Sequence, residues 1–230
     1  MKSQPSIKLI QEFEQELPYH VAFSGGKDSI VMYDLVKRAQ VKHQAYFAVS
    51  TVDPPELTRF IRTFYPEVIF LRPEFSMYQL IIKKGLPIRS RNKSGGRFCC
   101  EYLKEFAGKG EFCIMGIRWA ESANRKRTRN YFEHDTRERM QGKMYLNPII
   151  DWSEKDVWDY IHSRGLPYPE LYDCGFKRIG CIGCPNSSFK IRQRQLNQYP
   201  RFKRMYLKAI RKRMEIGFFL SLRMSTTFTR

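Results

Sequence analysis

Short apolar runs alternate with helix-like stretches over the first two-thirds of the chain. Each run predicts a β-strand, and in the stretches between them apolar residues recur every three or four positions, as on one face of a helix. The predicted strands are residues 20–23, 45–50, 68–71, 112–115 and 145–150. Strand and helix alternating at this spacing predict an α/β fold with a mostly parallel, doubly wound sheet.

Helix signals are clearest at three places. Leu57, Phe60, Ile61 and Phe64 give an apolar stripe, and Ser153 with Asp156 resembles a capping box that opens a helix. Near the end of the chain, an apolar stripe (Phe202, Met205, Tyr206, Ala209, Ile210 and Met214) opposes a cationic face (Lys203, Arg204, Lys208, Arg211 and Lys212). We therefore expect a domain over 1–184 and a basic helical C-terminal extension over 185–230, with the amphipathic helix packed on the body.

Composition narrows the class of protein. The chain has 230 residues, of which 42% are hydrophobic, which is enough for a core and excludes a disordered chain. No apolar run approaches the roughly 18–20 residues that span a bilayer, and MKSQPSIKLIQEFEQELP has no signal-peptide stretch. We therefore expect a cytoplasmic protein with no membrane partner.

Charge is concentrated near the end of the chain. The formal net charge is +18, and residues 185–230 contain twelve Lys or Arg and one acidic residue, Glu215, a net of +11. A basic surface of this size attracts polyanions, so nucleic acid is an expected partner. A solvated surface that only maintains solubility is the alternative.

A candidate phosphate loop lies between the first predicted strand and a helix. Its residues are Ser24, Gly25, Gly26, Lys27, Asp28 and Ser29. Adjacent glycines let the backbone approach an anion, and the helix that follows presents free N–H groups to it. Lys27 adds positive charge, and Asp28 is suited to orienting Lys27 or a Mg²⁺ ion.

Six cysteines point to metal or redox chemistry. Cys181 and Cys184 form a Cys-x-x-Cys motif, and Cys99 and Cys100 form a second pair. Four thiolates can hold Zn²⁺ or an iron–sulfur cluster, and spacing alone does not decide between them. Cys113 lies in an apolar run and is expected to be a buried strand residue. Cys174 is either a structural cysteine or a sulfur carrier.

The loop resembles that of the PP-loop ATP pyrophosphatases, and in particular the phosphoadenylyl-sulfate (PAPS) reductase family. Further motifs carry the resemblance over roughly residues 18–190: 116–122, Arg125, 147–152 and 171–173. It implies an adenine nucleotide α-hydrolase-like fold that binds ATP or adenylyl sulfate. The cysteine pairs are similar to the [4Fe–4S] ligands of adenylyl-sulfate reductases.

The resemblance also implies roles for single residues. Thr51 to Asp53 would border the adenosine, and Gly116, in the motif that contains Arg118, would also bind the nucleotide. Arg118 and Arg125 would meet phosphate or sulfate oxygens, and Lys104 would lie near the cluster and the substrate. Cys99, Cys100, Cys181 and Cys184 would hold the cluster.

Two reactions are compatible with these motifs. The reductases use a nucleophilic cysteine in a C-terminal segment, whereas this sequence has no cysteine after Cys184. The leading hypothesis is therefore an ATP pyrophosphatase, with Lys27, Arg118 and Lys104 as catalytic residues, that inserts sulfur into nucleic acid, as in DNA phosphorothioation. A cysteine desulfurase would suit it as sulfur donor. The alternatives are a reductase of sulfate assimilation and a zinc-stabilised, non-catalytic nucleic-acid-binding module.

Overall fold

The computed structural model describes residues 2–88 and 98–227, with side chains described up to residue 217. By its internal contacts the chain divides into two units. The first unit contains Met1–Ala48, Pro54–Leu71 and Glu105–Ile179. The second contains Val49–Asp53, Arg72–Lys104 and Gly180–Arg230.

A six-stranded sheet forms the centre of the first unit. Its strands are β1 (Tyr19–Ala22), β2 (His43–Ala48), β3 (Ile69–Leu71), β4 (Phe112–Met115), β5 (Phe132–His134) and β6 (Met144–Leu146). The spatial order is β3-β2-β1-β4-β6-β5, and every neighbouring pair is parallel except β5 with β6. This confirms the α/β, mostly parallel prediction. The strand order reverses between β1 and β4, and ligands of such sheets bind at this switch point.

Five helices accompany the sheet: α1 (Ser3–Glu12), α2 (Lys27–Ala39), α3 (Pro55–Phe64), α6 (Ala123–Thr128) and α7 (Glu154–Ser163). α2 packs against α1, α7 and β4, and nine of its thirteen residues are buried. α7 begins with the predicted capping box, since the Ser153 side chain accepts from the Asp156 N–H and Asp156 accepts from the Ser153 N–H.

The second unit is helical and has its own core. Its helices are α4 (Met77–Lys84), α5 (Phe98–Leu103), α8 (Phe189–Gln198) and α9 (Pro200–Thr227). α4 packs against α9 and α5, and the buried core includes Val52, Leu80 and Ala209. Four residues of the predicted apolar stripe of α9 pack on this core, namely Phe202, Met205, Tyr206 and Ile210.

Several predicted boundaries differ from the structure. The strand predicted over 145–150 ends at Leu146, because Asn147 is followed by Pro148, which lacks an N–H for the sheet. Met214 is 68% exposed and lies off the apolar stripe. The predicted division at residue 184 also differs from the observed units, because the segment that follows Ile179 shares a core with 72–104.

Buried polar residues lie near the start of β1 and β4. His20 stacks on Tyr46 with ring centroids 4.4 Å apart, and its Nδ1 lies 2.5 Å from Glu111 Oε2. Burial lowers the pKa of His20, although Glu111 opposes this effect and Lys143 adds to it. Cys113 is buried, as predicted, and burial raises its pKa to about 12. In the part of the chain that the structure describes, no helix is both long and apolar enough to cross a membrane.

Candidate functional site

The predicted phosphate loop is a closed hydrogen-bonded turn between β1 and α2. Ser29 Oγ accepts the Ser24 N–H at 3.1 Å and the Ser24 hydroxyl at 3.0 Å, and it donates to the Gly26 carbonyl at 2.8 Å. Gly25 has φ 70°, a left-handed conformation that favours glycine. The turn therefore places the first N–H groups of α2 beside the loop, as in an anion-binding site.

Gly116 brings the end of β4 against this loop. A Cβ atom at Gly116 would lie 2.8 Å from the Asp28 carbonyl oxygen and 3.1 Å from the Ser29 nitrogen. Since both neighbours are backbone atoms, only glycine allows so close an approach. The residues after β1 and those after β4 consequently form one crevice at the switch point of the sheet.

Arg118 lines this crevice and forms ion pairs with two carboxylates. It is 2% exposed, and its guanidinium donates to Asp28 Oδ1 at 2.6 Å and to Glu154 Oε2 at 2.7 Å. A third bond runs to the Trp152 carbonyl at 3.3 Å. Burial disfavours the charged form, but the two carboxylates outweigh it and raise the pKa of Arg118.

Lys27 belongs to the same charged network. Its ammonium Nζ lies 3.4 Å from Glu154 Oε1 and 3.5 Å from Asp28 Oδ2, and the residue is buried. The Lys27 N–H donates to the hydroxyl of Tyr172 at 2.9 Å, so this phenol lies where an anion would meet the start of α2. Burial disfavours ionised Glu154, but Arg118 and Lys27 outweigh it and lower the pKa of Glu154.

A cavity of about 740 Å³ opens above these residues, within the range of small-molecule sites. Lys177 and Arg178 line it together with Lys27, Trp158 and Tyr172. Within residues 2–88 and 98–217, no carboxylate lies within 4 Å of the charged groups of the first two. They are therefore the cations of the wall whose charge is available to an anionic ligand.

Arg125, which was expected to contact a phosphate or sulfate oxygen, pairs with a carboxylate of its own chain. Its guanidinium bonds to the carboxylate of Glu121, four residues earlier. Burial, together with the nearby charges of Arg178 and Arg129, lowers the pKa of Arg125 although Glu121 opposes the shift. Arg125 does not line the cavity as described, so its role toward an oxyanion stays a prediction.

The four candidate cysteine ligands all lie in the second unit. Cys99 and Cys100 are on α5, and Cys181 and Cys184 flank a turn before α8. The hydrogen bond with Cys100 raises the pKa of the Cys99 thiol, and burial and the thiols of Cys181 and Cys184 act in the same direction. The other three thiols thus lie near enough to Cys99 to affect its ionisation.

Lys104 lies beside Cys181 and Cys100, and its role toward a cluster and a substrate stays a prediction. Its ammonium bonds to Cys181, and Asp53 and Cys100 also act on it. Burial opposes its charge, yet these neighbours outweigh burial and raise the pKa of Lys104. Asp53 in turn accepts the Ser50 N–H at 2.7 Å and the Ser50 hydroxyl at 2.6 Å. The Lys104 ammonium is therefore a positive charge close to the cysteine thiols.

The donor set fits an iron–sulfur cluster chemically, since four cysteine thiolates are its usual ligands. No three or more His, Cys, Asp or Glu side chains of the described residues converge as ligands of one metal ion. Thr51, expected to border the adenosine, has φ 61°, and its hydroxyl accepts the Met77 N–H at 2.9 Å. Thr51 and Asp53 both belong to the second unit, with the cysteines.

Helices α8 and α9 carry a cationic surface. Between residues 189 and 217 there are ten Lys or Arg and one acid, Glu215. Nine of the ten are exposed, and Arg192 is half-buried. Of the twelve basic residues counted in 185–230, the side chains of Arg223 and Arg230 lie outside the described residues.

A family model for the phosphoadenosine phosphosulfate reductase domain matches residues 18–187. The chain belongs to this family. Among curated relatives, an uncharacterized protein of Methanocaldococcus jannaschii is 30% identical over 195 residues, which cover 80% of this chain and 46% of the relative. The adenosine 5'-phosphosulfate reductase of Staphylococcus epidermidis is 27% identical over 189 residues, covering 78% of this chain and 74% of the reductase. The chain thus spans about half the length of the first relative.

Solved structures show the same fold. The PAPS reductase of Candida auris matches with a TM-score of 0.55 at 19% identity, over 76% of this chain and 87% of that one. A U34-tRNA thiolase of Methanococcus maripaludis, solved with its [4Fe–4S] cluster, matches with a TM-score of 0.50 at 12% identity, over 94% and 79%. The predicted fold and the predicted family are both confirmed.

Four residues that line the cavity of this PAPS reductase family member were not predicted as site residues, namely Glu154, Tyr172, Lys177 and Arg178. Glu154 and Tyr172 hold the phosphate loop, and Lys177 and Arg178 supply the open cations. Tyr172 lies in one of the motifs that carry the resemblance, which was a usable signal. The pair Lys177–Arg178 was visible in the sequence only as basic neighbours of Cys174.

Proposed function

We propose that this PAPS reductase family protein is an ATP pyrophosphatase that activates a substrate for sulfur transfer, with nucleic acid as the sulfur acceptor. The observation that carries the proposal is the crevice at the switch point of the sheet. There the phosphate loop, the buried Lys27 and the open cations Lys177 and Arg178 face one cavity of about 740 Å³. This combination suits a triphosphate, because fixed N–H groups and cations stabilise charge on phosphate oxygens.

The residues of the loop have distinct roles in this proposal. Ser24 to Ser29 and the start of α2 bind phosphate oxygens, and a phosphate displaces the Tyr172 hydroxyl from the Lys27 N–H. Lys27 stabilises the charge that develops on the leaving pyrophosphate. Asp28 and Glu154 supply the oxygen donors that would hold Mg²⁺. Arg118 holds these two carboxylates in place.

The chemistry is an adenylyl transfer followed by a displacement. An oxygen of the substrate attacks the α-phosphorus of ATP, a new P–O bond forms, and the bond to the bridging oxygen breaks with its electron pair leaving on pyrophosphate. A cysteine desulfurase would donate the sulfur as a persulfide, and a dithiol reductant would cleave its S–S bond by a two-electron reduction and release hydrosulfide. The hydrosulfide then displaces AMP from the activated position. The sulfur takes the place of the oxygen that leaves with AMP.

Cys99, Cys100, Cys181 and Cys184 are the residues that would hold a [4Fe–4S] cluster, with Lys104 beside them. When bound, such a cluster supplies iron with affinity for sulfur. The U34-tRNA thiolase with its [4Fe–4S] cluster supports this part of the proposal as an analogy of fold.

Nucleic acid is proposed as the acceptor on the basis of charge. Ten cations and one acid over residues 189–217 form a surface that suits a phosphate backbone. Binding through such a surface weakens steeply with salt concentration, because each phosphate contact releases a counterion.

Reduction of adenylyl sulfate is the second candidate. It is favoured by the 27% identity to adenosine 5'-phosphosulfate reductase over 189 residues. The same loop and cations would then bind the phosphosulfate in place of the triphosphate.

The test is an anaerobic comparison of ATP and adenylyl sulfate with the full chain, in which pyrophosphate and sulfite are both assayed with and without nucleic acid. We expect ATP binding and pyrophosphate release. Lys27→Ala should abolish this release, whereas Lys8→Ala, an exposed lysine on α1, should retain it. If the protein binds adenylyl sulfate, forms sulfite and neither binds nor cleaves ATP, the reductase function replaces the proposal.

A further inference from the structure

The turn between Cys181 and Cys184 has a defined conformation. The Cys184 N–H donates to the Cys181 carbonyl at 3.2 Å, and Gly183, the third residue of the turn, has φ 73°. Ile182, the second residue, is not among the residues with positive φ. A hydrogen-bonded four-residue turn with positive φ at its third residue and not at its second is a type II turn. In a type I turn the central peptide group, here between Ile182 and Gly183, is rotated by about 180°.

Two side chains from the C-terminal helices hold this central peptide group. The Tyr206 hydroxyl, on α9, donates to the Ile182 carbonyl at 2.9 Å. Gln195 Oε1, on α8, accepts the Gly183 N–H at 3.2 Å. The carbonyl and the N–H belong to the same peptide bond, so the two side chains fix both ends of one plane.

Packing also places Tyr206 against the turn and buries Gln195. A Cβ atom on Gly183 would lie 3.1 Å from Cε2 of Tyr206, so the phenol ring lies directly against the turn. Gln195 is 7% exposed and is the one buried residue of α8. An amide buried at a position where an apolar side chain would be expected is costly unless it is hydrogen-bonded, and here the bond goes to the turn.

We propose that Gln195 and Tyr206 are positioning residues that lock the Cys181–Cys184 turn in its type II form and thereby orient both sulfur atoms toward an iron–sulfur cluster. The inference rests on the cluster of the proposed function. It gives α8 and α9 a role at the cysteines in addition to their cationic surface. Neither residue is a ligand, because the bonds go to backbone atoms between the two cysteines.

The test uses the full chain purified anaerobically, with iron and sulfide content, the visible absorbance, the EPR spectrum of the reduced form and the rate of cluster loss to a chelator. Tyr206→Phe keeps the ring and removes the hydroxyl, and Gln195→Met removes the acceptor. Each lost bond is expected to accelerate cluster loss by roughly five- to tenfold. The EPR line shape should change as well. The double variant should fall short of the product of the two effects, because both bonds hold one peptide group.

Matched controls separate positioning from folding. Tyr78→Phe, in the same core, and Gln198→Met, exposed on α8, should leave the rate and the spectrum unchanged. Gln195→Glu keeps an acceptor oxygen and should restore a rate near that of the unmodified protein.

Two outcomes overturn different statements. Unmodified protein without iron and sulfide contradicts the cluster of the proposed function, and the inference falls with it. Unmodified protein with a cluster, together with Tyr206→Phe and Gln195→Met variants that lose it at the unmodified rate, overturns the positioning role and leaves the proposed function standing.

Discussion

Removal of the Arg118 guanidinium should destabilise the first unit by leaving a carboxylate without its partner. Arg118 is 2% exposed, and its bond to Asp28 is 2.6 Å long. Arg118→Met keeps a side chain of similar length and deletes the charge. The Asp28 side chain, 20% exposed, then keeps only the more distant Lys27 ammonium at 3.5 Å.

The magnitude follows from the burial of each pair. Breaking a buried ion pair by removing one partner costs about 3–5 kcal/mol. Glu154 is 57% exposed, so water screens its bond to Arg118. This bond therefore contributes little to the free energy of unfolding. Since Asp28 is also partly open, we expect a loss near the lower end, about 3 kcal/mol. With a urea slope of about 2 kcal/mol per molar, the unfolding midpoint should fall by about 1.5 M.

Tryptophan fluorescence reports on this unit selectively. All three tryptophans, Trp119, Trp152 and Trp158, lie in the first unit. Urea titrations of the unmodified protein, Arg118→Met, Asp28→Asn and the double variant form a double-mutant cycle. We expect a coupling of about 2 kcal/mol, because Asp28→Asn removes the charge that the Met variant leaves unpaired.

Two results would refute this reasoning. One is an Arg118→Met midpoint no lower than that of Lys155→Ala, which breaks an exposed pair with Asp159 and should change nothing measurable. The other is strict additivity in the cycle, which would show that the bond to Asp28 contributes nothing of its own.

Three further outcomes are expected. The double variant Lys177→Ala, Arg178→Ala should weaken ATP binding by about tenfold or more in calorimetric titration, because it removes the open cations of the cavity; an unchanged affinity would exclude them from the phosphate site. Gly116→Ala should lower the urea midpoint by an amount equivalent to about 2 kcal/mol, because its Cβ would meet backbone 2.8 Å away; a midpoint within error of the unmodified protein would contradict the close packing. Burial lowers the pKa of His20, although Glu111 opposes this shift, so on acidification the unfolded chain takes up a proton before the folded chain does. The free energy of unfolding should therefore fall as the pH drops below about 6.5. In urea titrations, His20→Gln should flatten this pH dependence.

The parts of the site that the sequence predicted are local in the chain. Residues 24–29 follow one strand directly, so their chemistry and their place at the strand end are visible in a single hexapeptide. The Ser153–Asp156 capping box is visible for the same reason. Strand β5 was missed because three residues, Phe132–His134, are too few to show an alternating pattern.

The partners of these residues are distant in the chain and were missed. Arg118 meets Glu154 across 36 positions, and the Lys27 N–H meets Tyr172 across 145. The Arg118 guanidinium was predicted to contact phosphate or sulfate oxygens, and this stays a prediction. The structure adds its two carboxylate partners, Asp28 and Glu154. A single sequence shows which residue types can bind an oxyanion, but it does not show which of them are already neutralised by the fold.

The C-terminal helices illustrate why charge and packing must be read separately. Most of their cations are exposed, and on α9 Arg204 and Arg211 lie away from the buried Ala209. A count of charges reveals these cations. Tyr206 and Gln195 act through backbone atoms 24 and 12 positions away, which no count of charges shows. Because the two features occupy different faces, substitutions that reverse the charge of Arg204 and Arg211 should weaken polyanion binding without disturbing the cysteine turn. Substitutions at Tyr206 should disturb the cysteine turn without weakening polyanion binding. The same pair of helices can therefore carry an anionic-substrate surface and hold the cysteine turn, and each role can be altered without the other.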